Sequence, residues 1–223
     1  MDTYNWRRRL LMACLAIGLF IAIQIPVMLI VGKGNLTKPM VLIDAGVCVV
    51  VLLILAVFER RHSGGVRAVI GSDLNRTFKL CAPWILGVYL VCTSLDIGLG
   101  YGYESYRMTS RDSHPAAQRA LIFAMVVMII SIIEELQYRH FLIRLFPLDH
   151  RIWRWVAILA TTALYTALHM PFSSWIGCLM IGSLSIILGY ARVRSAGLLV
   201  PVLLHIFTVV VNFSRGLVVT LWF

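Results

Sequence analysis

Long runs of apolar residues, separated by short polar segments, dominate the pattern of this chain. Most of these runs hold roughly 17 to 25 residues, the length that an α-helix needs to cross the hydrocarbon core of a bilayer. They cover residues 10–32, 40–58, 80–99, 119–146, 153–170, 173–191 and 197–213. The pattern predicts an all-α fold, a polytopic membrane helix bundle of about seven transmembrane helices.

The composition supports the same prediction. Of the 223 residues, 60% are hydrophobic and only 13% are charged, and the mean hydropathy is +0.88. A soluble domain of this size could not bury so much apolar surface, so we expect an integral membrane protein in contact with lipid. The net charge of +10 does not point to a nucleic-acid partner, because the basic residues mostly flank the apolar runs, where they meet lipid headgroups.

The basic residues also predict an orientation. The first run follows Arg7, Arg8 and Arg9 and lacks a small-residue cleavage site, so we expect a retained anchor rather than a cleaved signal peptide. An N-terminus inside the cell places thirteen basic residues in the cytoplasm: Arg7, Arg8, Arg9, Arg60, Arg61, Arg67, Arg76, Lys79, Arg144, Arg151, Arg154, Arg192 and Arg194. It places six outside: Lys33, Lys38, Arg107, Arg111, Arg119 and Arg215. This asymmetry favours a cytoplasmic N-terminus in a bacterial or archaeal cytoplasmic membrane.

A single integral membrane domain, residues 1–223, is expected. The polar stretches 59–79 and 101–119 are short enough to be loops of one domain. Residues 1–117 hold the first three spans and carry no motif, whereas residues 118–213 carry the candidate chemistry. The five cysteines have no CxxC spacing and are expected to pack in the bundle: Cys14, Cys48, Cys81, Cys92 and Cys178.

The fourth run contains the most unusual polar cluster, the sequence Glu134-Glu135-Leu136-Gln137-Tyr138-Arg139. A charge at that depth costs roughly 2.5 to 3.5 kcal/mol or requires a partner. Glu135 and Arg139 are four residues apart on one helix face and can pair. Glu134 points about 100° away and has no obvious local partner, which suits a carboxylate that takes a proton from water. The alternative is a buried salt-bridge network that only locks helices together.

Two histidines lie in later apolar runs. Counted at about 1.5 Å per residue from the nearest cytoplasmic arginine, Glu134 lies roughly 15 Å deep, His205 roughly 16 Å and His169 roughly 22 Å. We expect the three to meet near the membrane midplane, although a lone histidine on an apolar face is more often a packing residue.

The other polar residues in or near the spans carry weaker signals. Asp44 and Asp96 lie near the outer ends of the second and third runs, where a carboxylate reaches water at small cost. Four further histidines lie in loops or near span ends, where we expect no specific role: His62, His114, His140 and His150. Of these, His140 follows Arg139 and is a candidate for contact with the site.

A carboxylate base with two imidazoles suits hydrolysis of an acyl bond, because it offers a base for water and donors for the developing oxyanion. The sequence contains no HExxH zinc motif and no GxSxG nucleophile motif. It also lacks the Gly-Ser-Gly and Gly-Asp pairs found in rhomboid and presenilin-like proteases. A zinc site built from Glu134, His169 and His205 is an open alternative.

Three motifs follow one another in the chain: Glu134-Glu135-xxx-Arg139, then Tyr165-xxx-His169, then His205 after Arg194-Ser195-Ala196-Gly197-Leu198. Together they resemble the CAAX protease and bacteriocin-processing family, also called CPBP or ABI. The resemblance covers roughly residues 118–213. It implies a glutamate-dependent intramembrane protease. We expect that no cofactor is present and that the water is activated without a metal. By this resemblance Glu134 is the general base, His169 holds the water and His205 stabilises the oxyanion, while Glu135 and Arg139 brace the site.

The chain departs from the family pattern at two positions. The family usually has an asparagine four residues after the last histidine, where this chain has Val209. Asn212 lies about 10 Å further along the helix, and Thr208 is a substitute donor within one turn. Losing one oxyanion donor typically costs ~10²-fold or more in rate. Tyr165 replaces the family's phenylalanine and is a candidate for site support.

Two functions from different classes therefore stand. The first is an endopeptidase that acts on a peptide or a membrane protein, and the residues leave open whether that substrate is prenylated. The second is a non-catalytic membrane scaffold, bacteriocin-immunity factor or regulator. A carrier or channel is disfavoured, because no pair of broken helices or inverted repeat is present. Membrane lipids and the substrate are the expected partners, and a membrane partner protein or an oligomer is left open.

Overall fold

A computed structural model describes residues 5–31, 38–59, 62, 65–99, 125, 128–170 and 174–222. Every regular element in these residues is a helix, so the prediction of an all-α fold is confirmed for the described part of the chain. The outer segment predicted at 101–119, the start of the fourth run and His114 lie outside the described residues.

The helices follow the apolar runs. They are α1 (Trp6–Val31), α2 (Lys38–Glu59), the single turn α3 (Arg67–Ile70), α4 (Leu74–Gly98), α6 (Arg151–His169), α7 (Trp175–Ser195) and α8 (Leu199–Trp222). We name the helical stretch 128–145 α5. It is α-helical over 128–134, π-helical over Glu135–Leu142 and 3₁₀-helical over Ile143–Leu145.

Three segments of the described chain are long and apolar enough to cross a membrane: Trp6–Val27, Ala68–Gly98 and Trp175–Ser195. A shorter apolar helix covers Leu199–Arg215. The predicted count of seven spans is not confirmed. Two predicted boundaries also move, because α4 begins at Leu74 instead of residue 80 and α8 continues to Trp222 instead of residue 213. A hydropathy run ends at the first polar residue, whereas a helix continues through polar turns where side chains reach water.

The core has two main parts, with α5 between them. On one side, α1 and α2 pack against α5 through small residues such as Ala13, Ala16 and Cys48, which let the helices approach closely. On the other side, α4, α7 and α8 share a second cluster, which includes Ile85, Leu188, Val200 and Leu204. A smaller cluster joins the end of α5 to α6: Ile143, Ala157 and Ile158. Helix α5 therefore packs within the first cluster and contacts α8, which belongs to the second.

The connection into α8 is fixed by backbone contacts. Ser72 N–H donates to the carbonyl of Ser195 at 2.7 Å, and Leu198 N–H donates to that of Val69 at 2.9 Å. Gly71 and Gly197 approach so closely that a Cβ on Gly197 would lie 2.2 Å from the Gly71 Cα. This contact sets where α8 begins and therefore how deep its side chains lie.

Each end of the bundle has its own polar contacts. At one end, Arg9 donates to the carbonyl of Arg144 at 2.9 Å, and Arg144 lies 3.3 Å from the buried carboxylate of Glu59. At the other end, Arg215 pairs with Asp96 at 2.7 Å. The start of α1 and the ends of α2 and α5 therefore share one end of the bundle, as alternating spans require.

Candidate functional site

The site is built around the π-helical part of α5. Within this segment Ile143 N–H donates to the carbonyl of Tyr138, five residues earlier. Such wider turns are rare and occur frequently at functional sites. The segment is almost wholly buried, whereas the residue that precedes it, Glu134, keeps 19% of its side chain exposed. Two adjacent glutamates therefore lie in different environments.

Glu135 is the structural partner of the pair. Its side chain is fully buried, and one oxygen lies 3.3 Å from Arg139 Nη1 and 2.8 Å from His205 Nδ1. Arg139 also donates to Ser185 Oγ at 2.9 Å, and that hydroxyl shares a hydrogen bond of 3.1 Å with Thr162. These contacts connect α5, α6, α7 and α8 through one polar chain.

Glu134 faces the two histidines and a tyrosine. Tyr165 donates its hydroxyl to Glu134 Oε2 at 2.6 Å. Nε2 of His205 lies 3.6 Å from the same oxygen, and Nε2 of His169 lies 3.9 Å from the other oxygen. The structure thus brings together Glu134, His169 and His205, the three residues that the depth count places near one level.

Both imidazole rings are oriented by contacts of their other nitrogen. His169 Nδ1 lies 2.8 Å from the carbonyl oxygen of Tyr165, which can only accept, so Nδ1 carries the proton. Nδ1 of His205 faces the carboxylate of Glu135 in the same way. Each Nε2 is therefore turned towards Glu134. Separations of 3.6 and 3.9 Å are too long for direct hydrogen bonds and suit a bridging water molecule.

Two of the residues predicted as possible oxyanion support, Thr208 and Asn212, follow His205 on α8. Thr208 donates its hydroxyl to the carbonyl of His205 at 2.7 Å. A threonine inside a helix commonly makes such a bond to its own backbone. Asn212 lies almost two turns beyond His205, and its buried amide oxygen has no partner among the described residues.

His140 differs most from expectation. The sequence predicts it near a span end without a specific role, with contact to the site as an open alternative; its side chain is fully buried and faces Glu59 at 4.0 Å, on the Arg144 side of α5. His62 contributes a carbonyl that accepts from Arg144, and His150 is exposed before α6. Asp44 and Asp96 each contact a neighbouring helix, through Gln24 and Arg215 respectively.

Sequence reasoning missed three residues that hold Arg139 or its partners: Thr162, Ser185 and Arg192. Arg192 is buried and donates from Nε to the carbonyl of Arg139 at 2.8 Å. Ser185 and Arg192 are seven residues apart and therefore lie on one face of α7. This spacing could have indicated a polar face on α7. An arginine near a span end is, however, ordinarily used only to predict the orientation of the protein in the membrane.

Glu134, His169 and His205 have the side-chain types of a zinc site. Within the described part of the chain, no group of three or more His, Cys, Asp or Glu residues has an arrangement that could hold a metal ion.

Comparison with known proteins agrees with the motif residues. Residues 116–211 match the family model described as Type II CAAX prenyl endopeptidase Rce1-like. An uncharacterized 24.3 kDa protein of Escherichia coli is 27% identical over 128 residues, which make up 55% of this chain and 58% of that relative. No solved structure matches the chain with significance. The matched segment contains the whole cluster described above, and over this segment the chain is similar to the Rce1-like members of the CAAX protease and bacteriocin-processing family.

Proposed function

We propose that the protein is an intramembrane endopeptidase in which Glu134 activates water to hydrolyse a peptide bond. The observation that carries this proposal is the contrast between the two glutamates. Glu135 is buried and paired with Arg139, whereas Glu134 is partly exposed and forms no ion pair with an arginine or lysine among the described residues. A carboxylate that no arginine or lysine neutralises retains its capacity to accept a proton.

The reaction begins with a water molecule between Glu134 and the two Nε2 atoms. Glu134 takes a proton from this water as the water oxygen forms a bond to the carbonyl carbon of the substrate. The carbonyl π electrons move to the oxygen and create an oxyanion. When the intermediate collapses, the C–N bond breaks and the proton held by Glu134 passes to the leaving nitrogen. Glu134 is then again a carboxylate.

The two histidines have separate roles in this scheme. The orientation of His169, fixed by its bond to the backbone of Tyr165, makes its Nε2 an acceptor that holds the attacking water. When protonated, His205 donates from Nδ1 to Glu135 and from Nε2 towards the oxyanion.

A second candidate function, a non-catalytic scaffold or regulator, is favoured by one observation. Val209 stands where the resemblance expects an amide donor, and the nearby Thr208 hydroxyl is bonded to the helix backbone. In that case the polar cluster would act only as a connection between α5, α6 and α8. Both candidates predict a folded, membrane-embedded protein, and they differ in whether Glu134 is needed for turnover.

We further propose that the water is activated without a metal ion. Glu134, which accepts from Tyr165 and faces two histidines, has the surroundings that a general base needs. Zinc in the purified protein at one atom per chain, together with activity that a chelator removes and zinc restores, would contradict this. Unchanged cleavage after chelation, with zinc far below one atom per chain, is the expected result.

Membrane lipids and a peptide or membrane-protein substrate are the proposed partners, and no role for nucleic acid is proposed. We also propose that the end of the bundle with Arg9 and Arg144 faces the cytoplasm, since basic residues concentrate on that side of a membrane.

The function is tested by comparing the membrane peptidome of host cells that express the wild-type protein, E134Q or D44N. D44N is the matched control, because it also converts a carboxylate within an apolar helix to an amide but lies outside the site. We expect peptide products that appear with wild type and D44N and are lost with E134Q. Identical peptidomes for all three proteins would favour the scaffold.

A further inference from the structure

Tyr165 has a contact that the proposed reaction does not yet use. Its hydroxyl donates to Glu134 Oε2 at 2.6 Å, a short charge-assisted bond to the proposed base. The tyrosine lies one turn before His169 on α6, and its own carbonyl orients that ring. Tyr165 therefore contacts the reacting carboxylate directly and the second histidine through its backbone.

The ring of Tyr165 is held from several directions. Tyr138 packs its ring edge-on at a centroid separation of 4.9 Å, and the guanidinium of Arg139 lies 5.1 Å from the Tyr165 ring centroid. The imidazole of His169 lies 4.4 Å away. With the ring fixed, the main freedom of the hydroxyl is rotation of its proton about the C–O bond. The oxygen stays in place while its donor direction changes.

This rotation gives the hydroxyl a second acceptor during the reaction. Before attack, the ionised carboxylate of Glu134 is the strongest acceptor within reach of Tyr165. Once Glu134 has taken the proton from water, that acceptor is neutral, and negative charge appears on the carbonyl oxygen of the substrate. The attacked carbon carries both this oxygen and the former water oxygen, so the oxyanion lies beside the carboxylate. A charged acceptor binds a donor more strongly than a neutral one.

We propose that Tyr165 is a further catalytic residue, whose hydroxyl donates to Glu134 before attack and to the oxyanion afterwards. The inference rests on the proposed function, since it assigns a role within the same hydrolysis. It supplies an oxyanion donor where Val209 has none and the hydroxyl of Thr208 is occupied. No covalent bond forms to Tyr165, and its proton stays on its oxygen throughout.

The test uses Y165F, which removes only the hydroxyl. The probe is a synthetic peptide that spans a cleavage site lost from the peptidome of E134Q cells, assayed with the full-length protein in detergent. Because the contact to the oxyanion exists only during the reaction, we expect kcat to fall by about 10²-fold while KM changes little. The melting temperature of Y165F is expected to stay close to that of wild type.

Y190F is the matched control, because Tyr190 on α7 also has a hydrogen-bonded hydroxyl but lies away from the site. It should cleave at the wild-type rate. The second variant is V209N, which places an amide donor one turn after His205. We expect the double variant Y165F/V209N to cleave at least tenfold faster than Y165F alone.

Two outcomes separate this inference from the proposed function. If E134Q abolishes cleavage while Y165F keeps the wild-type kcat, the role of Tyr165 is wrong and the proposed function stands. If E134Q itself cleaves the probe, both are wrong. A loss in Y165F that comes from a higher KM and a lower melting temperature would also overturn the donor role and show a structural one.

Discussion

Glu134 and Glu135 are neighbours in sequence but differ in burial and in the residues that they contact. A helix turns by about 100° per residue, so two adjacent side chains cannot share one environment. Glu135 is turned into the bundle, where Arg139 and His205 compensate the cost of a fully buried carboxylate. Glu134 is turned towards the histidine pair and stays partly exposed. A motif of two adjacent glutamates thus supplies one buried, paired carboxylate and one partly exposed carboxylate.

The ion pair between Glu135 and Arg139 predicts that changing Arg139 lowers the stability of the protein. Changing Arg139 to alanine leaves the buried carboxylate of Glu135 without its cation, and breaking a buried pair in this way costs about 3 to 5 kcal/mol. We expect a lower melting temperature in detergent and less folded protein. The matched control is Arg194→Ala on α7, which removes an exposed arginine and should melt close to wild type.

A double variant separates charge from packing in that result. Adding Glu135→Gln to Arg139→Ala removes the stranded charge, so part of the lost stability should return. If Arg139→Ala and Arg194→Ala melt at the same temperature, the ion pair contributes little and Glu135 does not need its cation.

At the scale of elements, the π-helical segment of α5 is the feature that could not be predicted from the sequence. The apolar run predicts a helix, and the four-residue spacing of Glu135 and Arg139 predicts their contact; both hold. The wider turn depends on groups from another helix, because Arg192 on α7 donates to the carbonyl of Arg139. A contact between residues 53 apart has no periodic signal in the sequence.

The loop before α8 predicts a packing effect at Gly197. A methyl group there would lie 2.2 Å from the Gly71 Cα and 2.3 Å from the Gly71 nitrogen, and these are backbone atoms that cannot rotate away. We expect Gly197→Ala to destabilise the protein by roughly 1 to 3 kcal/mol, the usual cost of overpacking. Thermal melting in detergent measures the effect.

Gly87→Ala on α4 is the control, because no atom of the described residues outside its own stretch of helix backbone lies within 4 Å of the added methyl group. It should melt at or slightly above the wild-type temperature, since alanine favours a helix over glycine. Equal melting of both variants would show that the Gly71 and Gly197 contact is not tightly packed.

At the scale of the whole molecule, the sequence predicts which ends of the helices lie together but few of their contacts. The alternation of apolar runs places the start of α1 and the end of α5 at one end, where Arg9 bonds to Arg144. The burial of Glu59 beside Arg144 was not predictable, since both residues appear in the sequence as ordinary polar positions at the ends of runs. Cross-helix partners depend on packing that a hydropathy pattern does not contain.

The orientation prediction can be checked directly. In the predicted topology of seven spans, thirteen basic residues on one side against six on the other favour a cytoplasmic N-terminus, and the odd number of spans would place the C-terminus outside. Reporter fusions after residue 223 should be active outside the cytoplasm, and fusions within residues 64–76 should be active inside. The reverse pattern would mean that the end of the bundle with Arg9 and Arg144 faces outwards.

The most direct test of the central claim compares E134Q with E135Q in the purified protein, using a peptide that the wild type cleaves. Because glutamine keeps the shape and removes only the base, we predict that E134Q melts like wild type and cleaves about 10²- to 10⁴-fold more slowly. E135Q should lose stability, since it weakens the contacts to Arg139 and His205. An active E134Q beside a stable but inactive E135Q would show that the two roles are reversed. If both variants cleave at the wild-type rate, the protein is not a glutamate-dependent protease.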